Sequence, residues 1–270
     1  MDIERKEQIA TELFEAEKDA VEVDMFTAMH PDLDIDTAYE IQQLLLEKKI
    51  AAGETRVTGR KLGLTSEAKM KQMNVNEPCF GTLLANMAHS EGETLSLDPF
   101  IHPKIEPEIA FIFKEPLEGT YISVTDVMNA TGVIAPALEV IDSRYRDFKF
   151  TLPDVIADNA SSSRYIIGNQ FHDPKQFDLS LMGMVFQKNG EIVSTGTGAA
   201  VMGHPARPIA WMANKLIEMG QSIQAGDVVL SGALGEAMML EAGDVISLSF
   251  DGIGSVGVSV CHHNRYTEKE

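Results

Sequence analysis

Apolar positions in the first fifty or so residues recur at helical spacing. Ile9, Leu13, Ala16 and Ala20 fall three or four apart, with Phe14 and Val21 beside them, and predict a first amphipathic helix. A polar break follows at Ala28-Met29-His30-Pro31-Asp32. Thr37-Ala38-Tyr39-Glu40 then has the spacing of a capping box, ahead of Ile41, Leu44, Leu45 and Ile50. Gly53 reads as the stop of this second helix. Packing accounts for both apolar faces.

From residue 57 the texture changes to short apolar runs punctuated by Gly, Pro and Asp. Residues 109–113, 132–141, 165–167 and 228–230 read as strands. Residues 184–193 read as a hairpin, because Asn189-Gly190 suits a type I′ turn. Residues 245–250 form a further strand, Asp251-Gly252 turns, and Val256, Val258 and Val260 alternate. One late helix, residues 208–219, carries Ile209, Met212, Ala213, Leu216 and Ile217 on one face and stops at Gly220. The expected architecture is α+β: a helical part over 1–56 packed on a β-rich core over 57–263, as one domain of 270 residues.

Charge narrows the choice of partner. A formal net charge of −19 disfavours nucleic acid and anionic membranes, both of which attract basic surfaces. An anionic small molecule stays admissible, because a local cation or metal can reverse the field inside a cleft. Two cysteines, Cys79 and Cys261, make no disulfide framework. The charged N-terminus lacks a signal-peptide core, and no apolar run reaches membrane-spanning length. The expectation is a cytoplasmic protein.

The candidate chemistry lies in His102-Pro103-Lys104-Ile105-Glu106-Pro107-Glu108-Ile109-Ala110-Phe111. Side chains alternate across a strand, so Glu106 and Glu108 share a face, with Cα atoms about 7 Å apart. Pro107 lacks an N–H and suits an edge or a bulge. A third acid, Glu139, is embedded in the apolar run 134–141. Carboxylates crowded out of water repel each other, and a divalent cation removes that difficulty. Three carboxylates with water at the other positions fit Mg²⁺ or Mn²⁺. The competing reading of a Glu-X-Glu pair is a solvated strand face. His102 is a further ligand candidate, although a lone His before Pro is more often structural.

Other polar clusters admit two readings each. Lys61, in Gly59-Arg60-Lys61-Leu62-Gly63-Leu64, sits beside a Gly-containing turn and can bind a carboxylate or move a proton, or simply be a surface lysine. Asp158-Asn159-Ala160-Ser161-Ser162-Ser163-Arg164 could hold a substrate carboxylate, or be a polar loop entering a strand. Arg144 could pair with a distal substrate carboxylate, or with Asp142 or Asp147. Cys261-His262-His263 reads as a frayed terminus rather than a metal site. Neither a P-loop nor a G-x-S-x-G elbow occurs.

Several of these segments, in this order, resemble one family. GRKLGLTS, HPKIEPEIAF, ALEVIDSRY, DNASSSRYIIG, the KNG hairpin and GAAVMGHP are similar to the 2-keto-4-pentenoate hydratase and 4-oxalocrotonate decarboxylase family, within the fumarylacetoacetate hydrolase superfamily. The resemblance runs roughly from Thr37 to Val260. It implies a mixed β-sandwich or roll with an N-terminal helical part, and Mg²⁺ or Mn²⁺ held by Glu106, Glu108 and Glu139. It implies an active-site Lys61, a substrate-contacting Ser161, Leu64 lining the pocket, and Asp158 and Asn159 shaping the opposite wall.

Hydratases resembling this chain carry an acid in a Pro-Asp-aromatic-Gly segment, matched here by Pro78-Cys79-Phe80-Gly81. The neutral residue implies the decarboxylase branch. The expected reaction is metal-dependent loss of CO₂ from a dicarboxylic 2-oxo acid, 2-oxo-3-hexenedioate, with Arg144 a weaker candidate for the departing end. The resemblance also implies a homo-oligomer and a hydratase of the same family as partner. Three alternatives stand beside it: a hydratase acting on 2-keto-4-pentenoate or 2-oxohept-3-ene-1,7-dioate, an acylpyruvate hydrolase, and a non-catalytic metal-binding partner subunit.

Overall fold

Asp2 accepts a hydrogen bond from the Arg5 N–H at 2.9 Å and starts helix α1 (Ile3–Asp19) in the computed structural model, which describes residues 1–53, 55–72 and 75–262. Ala20 closes α1 in the left-handed conformation, so it caps the helix and does not extend its face. A short helix α2 (Phe26–Met29) leads to α3 (Ile35–Gly53). Asp34 accepts from the Thr37 N–H at 2.9 Å, so the helix starts before the expected box and Thr37 lies in its first turn. The faces of α1 and α3 meet through Ile9, Leu13, Ile41 and Leu45, all fully buried.

The β-rich part contains β1 (Val57–Gly63), β2 (Cys79–Leu84), β3 (Thr94–Ser96), β4 (Lys104–Phe113), β5 (Thr131–Ile141) and β6 (Ser162–Ile167). It continues with β7 (Gly183–Lys188), β8 (Glu191–Thr197), β9 (Val228–Leu230), β10 (Met238–Met239), β11 (Val245–Phe250) and β12 (Gly254–Cys261). Helices α4 (Glu67–Gln72), α5 (Val124–Ala130), α6 (Leu152–Ala157) and α7 (Ala206–Glu218) connect them. One mixed sheet has the order β2-β1-β9-β4-β5-β6, with β10 also on β4. The second has the order β3-β12-β11-β7-β8, and β11 and β12 pack on β5. The hairpin tip is as expected: Asn189 and Gly190 both have positive φ, at 56° and 83°.

Strand β4 is the axis of the fold, and its two faces differ. Ile105, Ile109, Phe111 and Phe113 point into the main core, each contributing about 1.5–3 kcal/mol by burial. The other face carries Lys104, Glu106 and Glu108 and then turns apolar at Ala110 and Ile112, beside Leu83, Leu84 and Tyr165.

Two local expectations are corrected here. Lys61 lies inside β1, not at a turn; the neighbouring glycine serves close strand approach, since a Cβ on Gly59 would sit 1.8 Å from the Val228 carbonyl oxygen. Pro107 lies in an internal strand. Its missing N–H falls between Ile105, paired with β10, and Ala110, paired with β9, where the chain after β9 leaves the ladder.

Candidate functional site

Register brings the three acids together. Glu106 is the direct antiparallel partner of Glu139, and Glu108 lies two residues along the same face. One carboxylate oxygen from each lies within 4.8 Å of the others. Glu106 is 7% exposed, and Glu108 and Glu139 are 0% exposed. The Gly232 N–H donates to Glu108 Oε2 at 2.7 Å. Glu108 Oε1 and Glu139 Oε2 have no hydrogen-bond partner among the described residues.

Lys61 enters from β1. Its Nζ lies 3.1 Å from Glu139 Oε1 and donates to the Ala160 carbonyl at 2.9 Å. Burial opposes its charge, and Glu139, Glu106 and Glu108 outweigh burial and hold it protonated. Burial, Glu139 and Glu106 push Glu108 well above the usual carboxylate range. Burial pushes Glu139 up to about 7, with Lys61 pulling the other way. With all three ionised, the carboxylates against one ammonium would leave two negative charges out of water, which is why Glu108 and Glu139 are pushed up. Orphaned buried oxygens, an all-oxygen donor set and that residual charge fit a hard divalent cation held by Glu106, Glu108 and Glu139.

The Ala160 carbonyl that holds Lys61 belongs to a strained turn. Asn159, Ala160 and Ser161 are consecutive left-handed residues, at φ 52°, 52° and 56°. Such conformations cost of order 1 kcal/mol each and persist only when neighbours impose them. The Asn159 side chain does so by pairing with Thr82 on β2: it accepts from the Thr82 N–H at 2.7 Å and donates to the Thr82 carbonyl at 2.9 Å. Gly81 is required beside it, because a Cβ there would sit 2.4 Å from the Asn159 carbonyl oxygen.

A cleft of about 970 Å³ opens over the carboxylates. Lys61, Leu64, Ser161, Glu106 and Cys79 line it, with Lys104, Ile141, Phe148, Phe150, residues 193–195 of β8 and the segment 233–238. Burial pushes the Cys79 thiol up to about 11, so it is neutral at pH 7.

Residues 57–261 match the family model for the fumarylacetoacetate (FAA) hydrolase C-terminal domain. The chain belongs to the fumarylacetoacetate hydrolase family. Within that family it is 42% identical to a 4-oxalocrotonate decarboxylase of Pseudomonas sp. (strain CF600), over 92% of this chain and 94% of the relative. It is 37% identical to a 2-keto-4-pentenoate hydratase of Paraburkholderia xenovorans (strain LB400), over 94% of each. A 4-oxalocrotonate decarboxylase from Pseudomonas putida G7, solved with magnesium and adipate, superposes with a TM-score of 0.92 at 37% identity, covering 96% of this chain and 98% of that one. The expected roll with an N-terminal helical part is therefore the fumarylacetoacetate hydrolase fold.

The expected site residues of this family member divide in two. Glu106, Glu108, Glu139, Lys61, Leu64 and Ser161 surround one cleft or form its floor. Arg144, Asp158 and Asn159 are fully buried and do not line it. Arg144 bonds the Asp158 carboxylate and the carbonyls of Asp158 and Asp142, and so supports the 158–161 turn. Its ion-pair partners are neither of the acids expected, Asp142 or Asp147, but the more distant Asp158 and Glu17. His102 packs near Phe148 and Glu22, apart from the carboxylate cluster. Cys261 ends β12 and His262 contacts exposed Asp98, while His263 lies outside the described residues. Lys104 and Phe148 of the cleft were not singled out from the sequence. Lys104 was within reach, since it shares the alternation that places Glu106 and Glu108.

Proposed function

We propose that this chain decarboxylates 4-oxalocrotonate (2-oxo-3-hexenedioate), with Mg²⁺ or Mn²⁺ as cofactor. Cys79 carries this reading over hydration. It lines the cleft where the resembling hydratases have an acid, and its neutral thiol offers no base to activate water. The reaction moves one electron pair. The bond to the distal carboxylate breaks, the pair passes through the conjugated C=C toward the 2-oxo oxygen, and CO₂ leaves. A proton returned to that oxygen gives 2-hydroxypenta-2,4-dienoate; a proton returned to carbon gives 2-oxopent-4-enoate.

What a divalent cation held by Glu106, Glu108 and Glu139 supplies, when bound, is Lewis-acid stabilisation of the charge that builds at the 2-oxo end. Lys61, fixed between the Ala160 carbonyl and Glu139, faces that end and delivers the proton. The Ser161 hydroxyl, held at the cleft wall by the left-handed turn and donating to Asp158 Oδ2 at 3.4 Å, rotates from that long bond to donate to the proximal carboxylate. Leu64, Phe148 and Phe150 line the remaining wall and keep water from the reacting chain. Self-association and docking of a hydratase of the same family belong to this reading, and light scattering and co-purification test them.

The decisive assay uses purified protein, Mg²⁺ and 2-oxo-3-hexenedioate. CO₂ release is the expected result. Hydration of 2-hydroxypenta-2,4-dienoate without CO₂ release from the diacid would transfer the chain to the hydratase branch. Inactivity on both, with and without a hydratase present, would favour a hydrolase or a non-catalytic subunit.

A further inference from the structure

We infer that Lys104 is the specificity-determining residue that recognises the distal carboxylate of the substrate, held in place by the ring of Phe148; this rests on the decarboxylase reading. Lys104 lies on the same face of β4 as Glu106, two residues nearer the start of the strand. That step is about 7 Å along a strand. An extended six-carbon diacid bound by its 2-oxo end at the carboxylate cluster spans a similar distance. Burial gives the direction: Glu108 is fully buried, Glu106 is 7% exposed and Lys104 is half-buried, so the strand climbs from the cleft floor toward its mouth.

The ammonium is placed by an aromatic wall. Lys104 Nζ lies 3.7 Å from the centroid of the Phe148 ring, a cation–π contact. Phe148 has φ 58° and follows Asp147 at φ 57°. A bulky side chain in the left-handed region is an outlier that surrounding structure must impose. His102 and Phe150 pack against the ring, at 5.1 and 5.8 Å between centroids. Among the described residues lining the cleft, Lys61 and Lys104 are the cations. Lys61 lies at the floor, against Glu139 and the Ala160 carbonyl, at the end of the site where the 2-oxo group binds. In a chain of net charge −19, a dianion needs a positive group at its far end as well.

The chemistry sets a distinctive signature. The distal carboxylate loses its charge as CO₂ departs, so an ammonium beside it binds the ground state more strongly than the transition state. Lys104 therefore governs capture of the diacid, not bond breaking.

The test is calorimetric titration, at fixed Mg²⁺, of two saturated compounds that lack the conjugation needed to react: 2-oxoadipate and the monoacid 2-oxohexanoate. The unaltered protein should prefer the diacid. In Lys104→Gln, diacid affinity should fall about ten- to a hundredfold while monoacid affinity holds, and Lys104→Arg should keep the preference. KM for 2-oxo-3-hexenedioate should rise by a similar factor with kcat unchanged or higher. Phe148→Leu should reproduce part of the lost preference. Equal loss for both acids, or an undiminished preference in Lys104→Gln, overturns the assignment. Lys104-dependent diacid preference in a protein that releases no CO₂ would refute the decarboxylation and keep the subsite.

Discussion

Arg144→Met should be among the most damaging single substitutions in this chain. The guanidinium is fully buried and meets Asp158, whose carboxylate is fully buried too. Two further donors reach the Asp142 carbonyl at 2.7 Å and the Asp158 carbonyl at 2.6 Å, and Glu17 lies 3.7 Å away. Burial opposes the charged form of Arg144, but Asp158, Glu17 and Asp142 outweigh it. Methionine fills most of the volume and makes none of these bonds. Breaking a buried pair on one side costs about 3–5 kcal/mol, because the other charge stays behind. At roughly 2–4 °C per kcal/mol for a domain near this size, the midpoint should fall by about 6–20 °C. Urea denaturation followed by circular dichroism reads the difference. Arg146→Met is the control: its exposed pairs with Asp24 and Glu22 are screened by water and should contribute little. Burial already pushes Asp158 up to about 6. A raised carboxyl opposes folding above its unfolded value near 3.9 and does so fully above its folded value. Removing the counter-charge enlarges that cost, so the deficit should widen as pH rises past 6 and shrink toward pH 4. The double variant Arg144→Met/Asp158→Leu should recover much of the loss. A single variant as stable as Arg146→Met, or a double variant no better than the single, would refute the reasoning.

Three other outcomes follow from the geometry. Glu106→Gln should weaken binding of Mg²⁺ and activity together while circular dichroism stays unchanged; in the unaltered protein, metal at a hundred times its Kd should add about 2.7 kcal/mol of stability, and an unshifted melt would contradict the ligand set. Gly81→Ala should cost about 1–3 kcal/mol and reduce turnover, because a Cβ 2.4 Å from the Asn159 carbonyl oxygen must displace the turn that holds Lys61; an undisturbed melt and rate would show that the turn adapts. Asp244 is held below the usual carboxylate range because hydrogen bonds from Lys188, Asn189 and the Glu241 N–H outweigh burial. Its contribution is present above the unfolded value and lost as pH falls through the lower folded one, so Asp244→Asn should be destabilised at neutral pH and match the parent in strong acid.

Much of the strand content was legible because alternation and turn chemistry are local. Residues 228–230 and 245–250 form strands at the bounds their apolar runs suggest. The acid cluster was legible for a related reason: a Glu in an oily run needs a partner, and period two puts Glu106 and Glu108 on one side. What stayed hidden depends on pairing between distant segments. Gly59 and Gly63 looked like a turn around Lys61, yet Gly59 is there so that β9 can approach β1. The sequence offered Arg144 a substrate carboxylate, Asp142 or Asp147 as partner, and only the folded chain brings it to Asp158, fourteen residues on. The three left-handed residues 159–161 carry no glycine to announce them. Their conformation is imposed by Thr82 and the Arg144–Asp158 pair.

Pro107 ties these features to one another. Its carbonyl accepts from the Leu234 N–H at 2.9 Å, on the side where an alternating antiparallel ladder would also place its N–H. There the chain after β9 has left the sheet, delivering the Gly232 N–H to Glu108 and residues 233–238 to the cleft wall. A residue with an N–H at this point would direct a donor at a ladder that has opened, and proline removes the donor. The opening in the sheet and the carboxylate cluster thus have one origin. A central strand can carry glutamates at 106 and 108 because the neighbouring strand departs beside them. That departure makes room for the cleft and leaves Lys61 and a divalent cation to balance the charge.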